Sequence, residues 1–267
     1  MDGRAALPSS VPVLDLLARH QAGATIQDQY REDHGGAAMT ALRVLIACET
    51  SGVMRRAFAS RGHDVWSCDL LAAEDGSNRH IRGDVRELLH DEWDLLAVMH
   101  PPCTRLCRSG RRWMSGPGKW TPPKQLPKGR SWESMKAEFE EGVALFTACW
   151  RAPIDRVAIE NPEMNDLARD RMPADLPAPQ MVQPFWFGEP AYKNTGFYLR
   201  GLPRLEPTDM LTEPARGSDE WKAWNAVHRA SPGPDRWKIR SRTFEGVAAA
   251  SADQWGGYAM DEMRRAA

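Results

Sequence analysis

Between residues 42 and 160 the chain alternates short apolar runs with segments of helical spacing, and this alternation restricts the fold more than any single motif does. Leu42–Cys48 (LRVLIAC), Asp64–Cys68 (DVWSC), Asp94–Met99 (DLLAVM) and Ile154–Glu160 (IDRVAIE) have the length and apolar content of strands. Between them lie Val53, Met54, Ala57 and Phe58 at helical spacing, then a short helix opening at Asp84 with acid in its first turn. The longest helix is expected over Ser131–Trp150, with Ser131 as N-cap and Met135, Phe139, Val143, Phe146 and Trp150 on one stripe. Parallel strands need crossovers, and strands joined through helices place those helices on both faces. The sequence therefore predicts an α/β fold with a doubly wound, mostly parallel sheet.

Three regions follow from the pattern. Residues 1–40 read as an appendage, with an amphipathic stretch from Val13 to His20 and polar sequence after it. Residues 41–165 form the expected core. Residues 166–267 are less regular, interrupted by Pro173, Pro177, Pro179, Pro184 and Pro190. They offer strands at Met181–Phe187 and Thr195–Arg200 to complete the sheet, and a closing helix near 244–255.

Ligands bind beyond the carboxyl ends of the strands in such sheets, and here each strand ends in polar or reactive residues. They are Cys48-Glu49, Cys68-Asp69, His100-Pro101-Pro102-Cys103 and Glu160-Asn161-Pro162. Pro101 and Pro102 stiffen the exit from the third strand and fix the direction of Cys103. From 101 to 130 the chain carries eight cations and no acid: Arg105, Arg108, Arg111, Arg112, Lys119, Lys124, Lys128 and Arg130. Trp113 and Trp120 lie among them, a mixture suited to a phosphate backbone and exposed bases. The same positive field is expected to lower the pKa of the Cys103 thiol. A plainer reading makes Cys103 a small buried hydrophobe beside a solvated loop.

The overall balance, 35 Lys+Arg against 36 Asp+Glu, excludes a uniformly basic nucleic-acid coat, so only local charge carries the argument. Five cysteines among apolar neighbours make no disulfide framework and point to reduced thiols. No apolar run approaches the ~18 residues of a membrane span, and the expected setting is cytoplasmic.

Glu160 beside Asn161 can exchange protons and hydrogen bonds with a heterocycle, or it is a turn with an exposed acid. Asp69 stands where an acid commonly holds ribose hydroxyls, and Glu49, Ser51 and Gly52 form the turn into the first helix. Asp84 either meets an adenine amino group or caps a helix. His100, Cys103 and Cys107 have zinc-ligand spacing, but no second close-spaced pair accompanies them, so no metal is expected.

In order and position these elements resemble the DNA cytosine carbon-5 methyltransferases. The turn at residues 44–52, Asp69, Gly83-Asp84-Val85, Pro102-Cys103 and Glu160-Asn161 carry the resemblance over residues 42–165. Arg240–Gly256 (RSRTFEGVAAASADQWG) looks like the closing helix of small phage and bacterial relatives that lack a typical target-recognition domain. The resemblance implies a Rossmann-like, S-adenosylmethionine-dependent fold. Glu49, Ser51, Gly52, Asp69, Asp84 and Pro101 would line the cofactor, and Cys103, Glu160 and Asn161 would be catalytic. It implies that Cys103 attacks ring carbon 6 of cytosine while Glu160 holds or protonates ring nitrogen 3. The enamine so formed takes a methyl group at carbon 5, and elimination frees the enzyme. The partner would be single- or double-stranded DNA, gripped by Arg105, Arg108, Arg111, Arg112 and Trp113, with the base extruded from a duplex.

Two departures stand out. The family's paired arginines beside a glutamine are replaced by Tyr192-Lys193-Asn194-Thr195, which leaves Lys193 or Asn194 to meet the base. The region from about 165 to 240 is too short and broken for a target-recognition domain, so specificity is low, comes from a protein partner, or concerns a substrate other than duplex DNA. Two alternatives therefore stay open: the same cysteine chemistry on a free or modified pyrimidine nucleotide or with another donor, and a non-catalytic nucleic-acid binder. Trp221, Trp224 and Trp237, set among basic residues, are expected to pack a small subdomain rather than stack on a strand.

Overall fold

The computed structural model describes residues 41–116, 118–229, 231 and 240–266. The expected appendage of residues 1–40, and Trp237, lie outside the described residues. Seven strands are seen: β1 Arg43–Ala47, β2 Asp64–Asp69, β3 His80–Arg82, β4 Leu95–Val98, β5 Arg156–Glu160, β6 Gln180–Val182 and β7 Thr195–Arg200. They form one sheet in the order β3-β2-β1-β4-β5-β7-β6. All pairings from β3 to β5 are parallel, and β7 runs antiparallel to both β5 and β6. This order, with one reversed strand inserted beside β5, is that of the Rossmann-like methyltransferase fold.

Alternation within β1 explains the layers. Leu45 and Ala47 face one apolar cluster while Val44 and Ile46 face another, all fully buried. The first cluster is covered by helix α2, Trp132–Arg151, through Met135, Phe139, Val143, Phe146 and Trp150. The second is covered by α1, Val53–Ala59, and α6, Glu245–Ala266, with Phe58 and Trp255 at its centre. Burying side chains of this size stabilises by about 1.5–3 kcal/mol each. As expected, the Ser131 side chain caps α2, accepting from the Ser134 N–H at 3.0 Å.

Several elements differ from the sequence reading for local reasons. The helix expected at Asp84 is one 3₁₀ turn, Val85–Glu87. The strand expected over Met181–Phe187 stops at Val182, because Pro184 has no N–H for a ladder and instead opens a 3₁₀ turn, Pro184–Trp186. The closing helix runs on to Ala266, since Ala259 and Met260 continue its buried stripe beyond Gly256-Gly257. Strand β3 and the short helices α3 Asp166–Arg169, α4 Asp219–Trp224 and α5 Ala226–Arg229 carry too few apolar residues to be read from pattern alone. Trp224 of α4 is buried against Phe185 and Tyr192, so it packs a subdomain as expected.

Candidate active site

The carboxyl ends of β1, β4 and β5 converge on one region. Pro101, buried, carries the chain out of the sheet, and the Cys103 carbonyl accepts from the N–H groups of Leu106 and Cys107, both at 2.9 Å. Helix α2 presents Gly142 to this turn. A Cβ at that position would stand 3.0 Å from the Pro102 carbonyl oxygen, so a larger residue would need the turn or the helix to give by a few tenths of an ångström.

Glu160 ends β5 and is 5% exposed. The His100 Nδ1 lies 3.8 Å from its Oε2, and the His100 Nε2 lies 3.1 Å from the Thr243 hydroxyl, in a hydrogen bond that either atom can donate. The Lys193 ammonium donates to the carbonyls of Ser241 and Arg242, both at 3.1 Å, which anchors the segment entering α6. Asn161 is fully buried: its backbone N–H donates to Gly196 O at 2.9 Å and its side-chain N–H to Pro162 O at 2.5 Å. The Asn161 Oδ1 has no hydrogen-bond partner.

Two cavities meet at His100. A small one of about 10 Å³, room for one water-sized centre, lies between Glu160, Lys193, Thr195, His100 and Thr243. A second, of about 390 Å³, opens beyond the first strand between Thr50, Ser51, Glu74, His100 and residues 241–244. Its size is that of a small-molecule site.

The expected activation of Cys103 by surrounding cations is corrected by the structure. The thiol is pushed up to about 12, first by desolvation and next by the Glu160 and Cys107 charges, while Lys193 pulls it down only weakly. The basic loop does not present its charge freely, because acids from later in the chain meet it. Arg105 pairs with Glu138 at 2.9 Å and is itself buried, Arg108 with Glu163 at 2.9 Å, Arg111 with Asp166 at 2.6 Å and Lys119 with Asp170 at 2.5 Å. Arg130 also reaches Glu138. Arg112 lies over the Trp113 ring, 4.6 Å from its centre. Desolvation lowers the pKa of Lys193, opposed by the Glu160 and Cys103 charges, so the three groups share one electrostatic environment.

The remaining candidates divide. Ser51 lines the larger cavity, and Gly52, with φ of 69°, makes the left-handed turn into α1. Glu49 is fully buried and caps α1: it accepts from Met54 N at 2.7 Å, Arg55 N at 3.3 Å and the Ser51 hydroxyl at 3.2 Å, and desolvation raises its pKa. Asp69 ends β2, its Oδ1 accepting from Leu71 N at 2.9 Å. Asp84 caps the 3₁₀ turn and pairs with Arg86, which holds its carboxyl below the usual range.

His100, Thr243 and Glu74 border the site without having been assigned to it from sequence. His100 was readable as part of His-Pro-Pro-Cys, whereas Thr243 and Glu74 arrive through long-range packing that no spacing announces. Among the described residues no group of three or more His, Cys, Asp or Glu could hold a metal ion, so the zinc arrangement of His100, Cys103 and Cys107 is not formed there. All five cysteines are free thiols. No described helix is long and apolar enough to cross a membrane.

No family model and no curated protein matches the chain. Among solved structures, a candidate DNA modification methyltransferase encoded within an E. coli prophage is similar over 64% of this chain and 52% of its own, with 15% identity and a TM-score of 0.41. A mutant of Spodoptera frugiperda DNMT2 is similar over 66% of this chain and 56% of its own, with 12% identity and a TM-score of 0.35. The chain thus spans little more than half the length of these solved structures. The likeness is coarse, and the strand order of the sheet is what carries the fold.

The larger cavity lies at the carboxyl ends of β1 and β4, with the Glu74 carboxylate, the Thr50 and Ser51 hydroxyls and Arg242 in its wall, so the wall carries both signs of charge.

Proposed function

We propose that the chain is a DNA cytosine carbon-5 methyltransferase-like enzyme that works through a covalent Cys103 adduct. The observation carrying this reading is that Cys103 shares one electrostatic environment with Glu160 and Lys193, the latter two lining a small cavity that adjoins the larger one through His100. Ser51, Glu74 and Asp69 would hold S-adenosylmethionine, which when bound supplies the methyl group.

Residue chemistry then orders the steps. With its thiol at about 12, on the order of one Cys103 in 10⁵ is ionised at pH 7, so the thiolate forms as the base enters rather than at rest. Lys193, next to both Cys103 and Glu160, offers the positive charge that favours it. Sulfur adds to carbon 6, and Glu160 donates to or holds nitrogen 3, so that carbon 5 becomes nucleophilic. After methylation the carbon 5 proton leaves, the S–C6 bond breaks and the thiol is restored. Asn161, with an unpartnered Oδ1, stands beside Glu160 as a further hydrogen-bond acceptor for the base's exocyclic amino group.

A second reading, a free or modified pyrimidine nucleotide as substrate, is favoured by the ion pairing of the basic loop, which reduces its charge for a nucleic-acid backbone. DNA containing 5-fluorocytosine, offered with S-adenosylmethionine, tests the proposal. A stable protein–DNA adduct lost in Cys103→Ala supports it, and an adduct unchanged in that variant refutes the nucleophile. Adduct formation with fluorinated free nucleotide but not with DNA selects the second reading.

A further inference from the structure

We propose that His100 is the proton-transfer residue of this site: it accepts the proton released at carbon 5 of the base on its Nδ1 side and passes it from its Nε2 side to the open cavity, with Thr243 holding the ring across the passage. The inference rests on the methyltransferase reading above and assigns a step for which that reading names no residue. Replacing a ring hydrogen by a methyl group drawn from a sulfonium donor releases one proton per turnover. Beside Glu160 and Lys193 the free space is about 10 Å³, so a proton released next to them needs a carrier to reach the larger cavity. Glu160 is engaged at nitrogen 3, separated from carbon 5 by carbon 4, and returns to its starting state over the cycle.

His100 has the placement an exit requires. It borders both cavities, with Nδ1 turned to the Glu160 carboxylate at 3.8 Å and Nε2 bonded to Thr243 Oγ1 at 3.1 Å. Its backbone follows β4 directly and precedes the rigid Pro101-Pro102 pair, so the ring is mounted on the same support as Cys103. The balance is simple. The C5–H bond breaks, its electron pair forms the C5=C6 double bond as the S–C6 pair returns to sulfur, and the proton goes to imidazole and then to water. Glu160 at the end of β5 lies 3.8 Å from the ring, Glu49 in the turn after β1 interacts with it through its charge, and Lys193, Glu74 and Arg242 share its cavity walls. The two nitrogens of one imidazole, addressing two compartments, make it a shuttle rather than a fixed acid.

The test separates bond formation from proton exit. With 5-fluorocytosine DNA and S-adenosylmethionine the trapped adduct forms without any proton leaving carbon 5. With DNA tritiated at cytosine carbon 5 and no methyl donor, release of tritium to water requires sulfur addition, protonation of carbon 5 and loss of the triton, and the trapping assay controls for the first of these. His100→Asn should trap within about threefold of wild type while its tritium release falls ~10²-fold, with partial rescue by added imidazole. Thr243→Val, which leaves the imidazole present but unheld, should lower tritium release ~10-fold and by more than it lowers trapping. Equal loss of trapping and release in His100→Asn, or full release in it, overturns the assignment while leaving the methyltransferase reading standing. Absence of trapping in wild type overturns both.

Discussion

The loop from 101 to 130 and the strap from 240 to 244 border the same site and are held by opposite means. The loop is rich in charge and secured by ion pairs at the surface: Arg108–Glu163, Arg111–Asp166 and Lys119–Asp170. The strap has few distinguishing residues yet is secured from within, by Lys193 on two of its carbonyls and by Thr243 on His100. A run of like charge in the sequence is therefore no measure of the field at a site, because the counter-charges of Arg105, Arg108 and Arg111 lie 33 to 55 residues away in the chain. A hydrogen-bonded strap of ordinary composition contributes more directly to the walls of the cavity.

The comparison can be broken most decisively at Cys103. If the loop's cations do not act on the thiol, iodoacetamide should alkylate Cys103 in the free protein at pH 7 at least ~10²-fold more slowly than an ordinary thiol, since the thiolate is the reactive form and the thiol is held at about 12. Peptide mass mapping of the alkylated site checks this, and rapid alkylation would restore the activating role of the loop. The same thiol chemistry bears on stability. Cys68, Cys103 and Cys149 all stand at about 12, above the ordinary thiol range, so the folded chain keeps protons that the unfolded chain gives up. Their contribution is intact below about pH 8.5, and is lost as pH rises from there through about 12, to be seen as a falling urea midpoint.

The strap comes next. Lys193→Met removes the two hydrogen bonds that its ammonium donates to the strap. It should lower methyl transfer ~10²-fold and cost about 1–3 kcal/mol, a shift of several degrees in melting temperature. Retention of full activity would make the strap a bystander.

The loop's ion pairs should show smaller effects. Glu163→Gln together with Asp166→Asn frees Arg108 and Arg111, so the slope of log affinity for DNA against log salt should steepen by up to about 2. An unchanged slope would place these arginines away from the nucleic acid. Arg111→Gln alone should change stability by less than about 1 kcal/mol, as expected of a partly exposed pair, in a chemical denaturation series.

The fold was legible where a strand is buried on both faces. Leu42–Cys48 and Asp94–Met99 contain β1 and β4, and Thr195–Arg200 is β7 with the same ends. Strand β3 was not, because His80-Ile81-Arg82 is short, polar and at the sheet edge. The position of Cys103 was readable from two prolines after an apolar strand, but its protonation was not, because desolvation and the Glu160 charge come from tertiary packing. Asp84 was open between a cap and a cofactor contact; its hydrogen bond to the Arg86 N–H makes it a cap. His100 stood in plain view beside Cys103, yet its relation to Thr243 spans 143 residues and needs the fold to appear.

The position at which DNA becomes methylated tests the account most directly. DNA incubated with the protein and S-adenosylmethionine labelled in its methyl group, then digested to nucleosides, should yield label as 5-methyldeoxycytidine, with none from Cys103→Ala. Label on the exocyclic nitrogen of cytosine or adenine would contradict the account, since direct transfer to an amine has no need of a cysteine adduct.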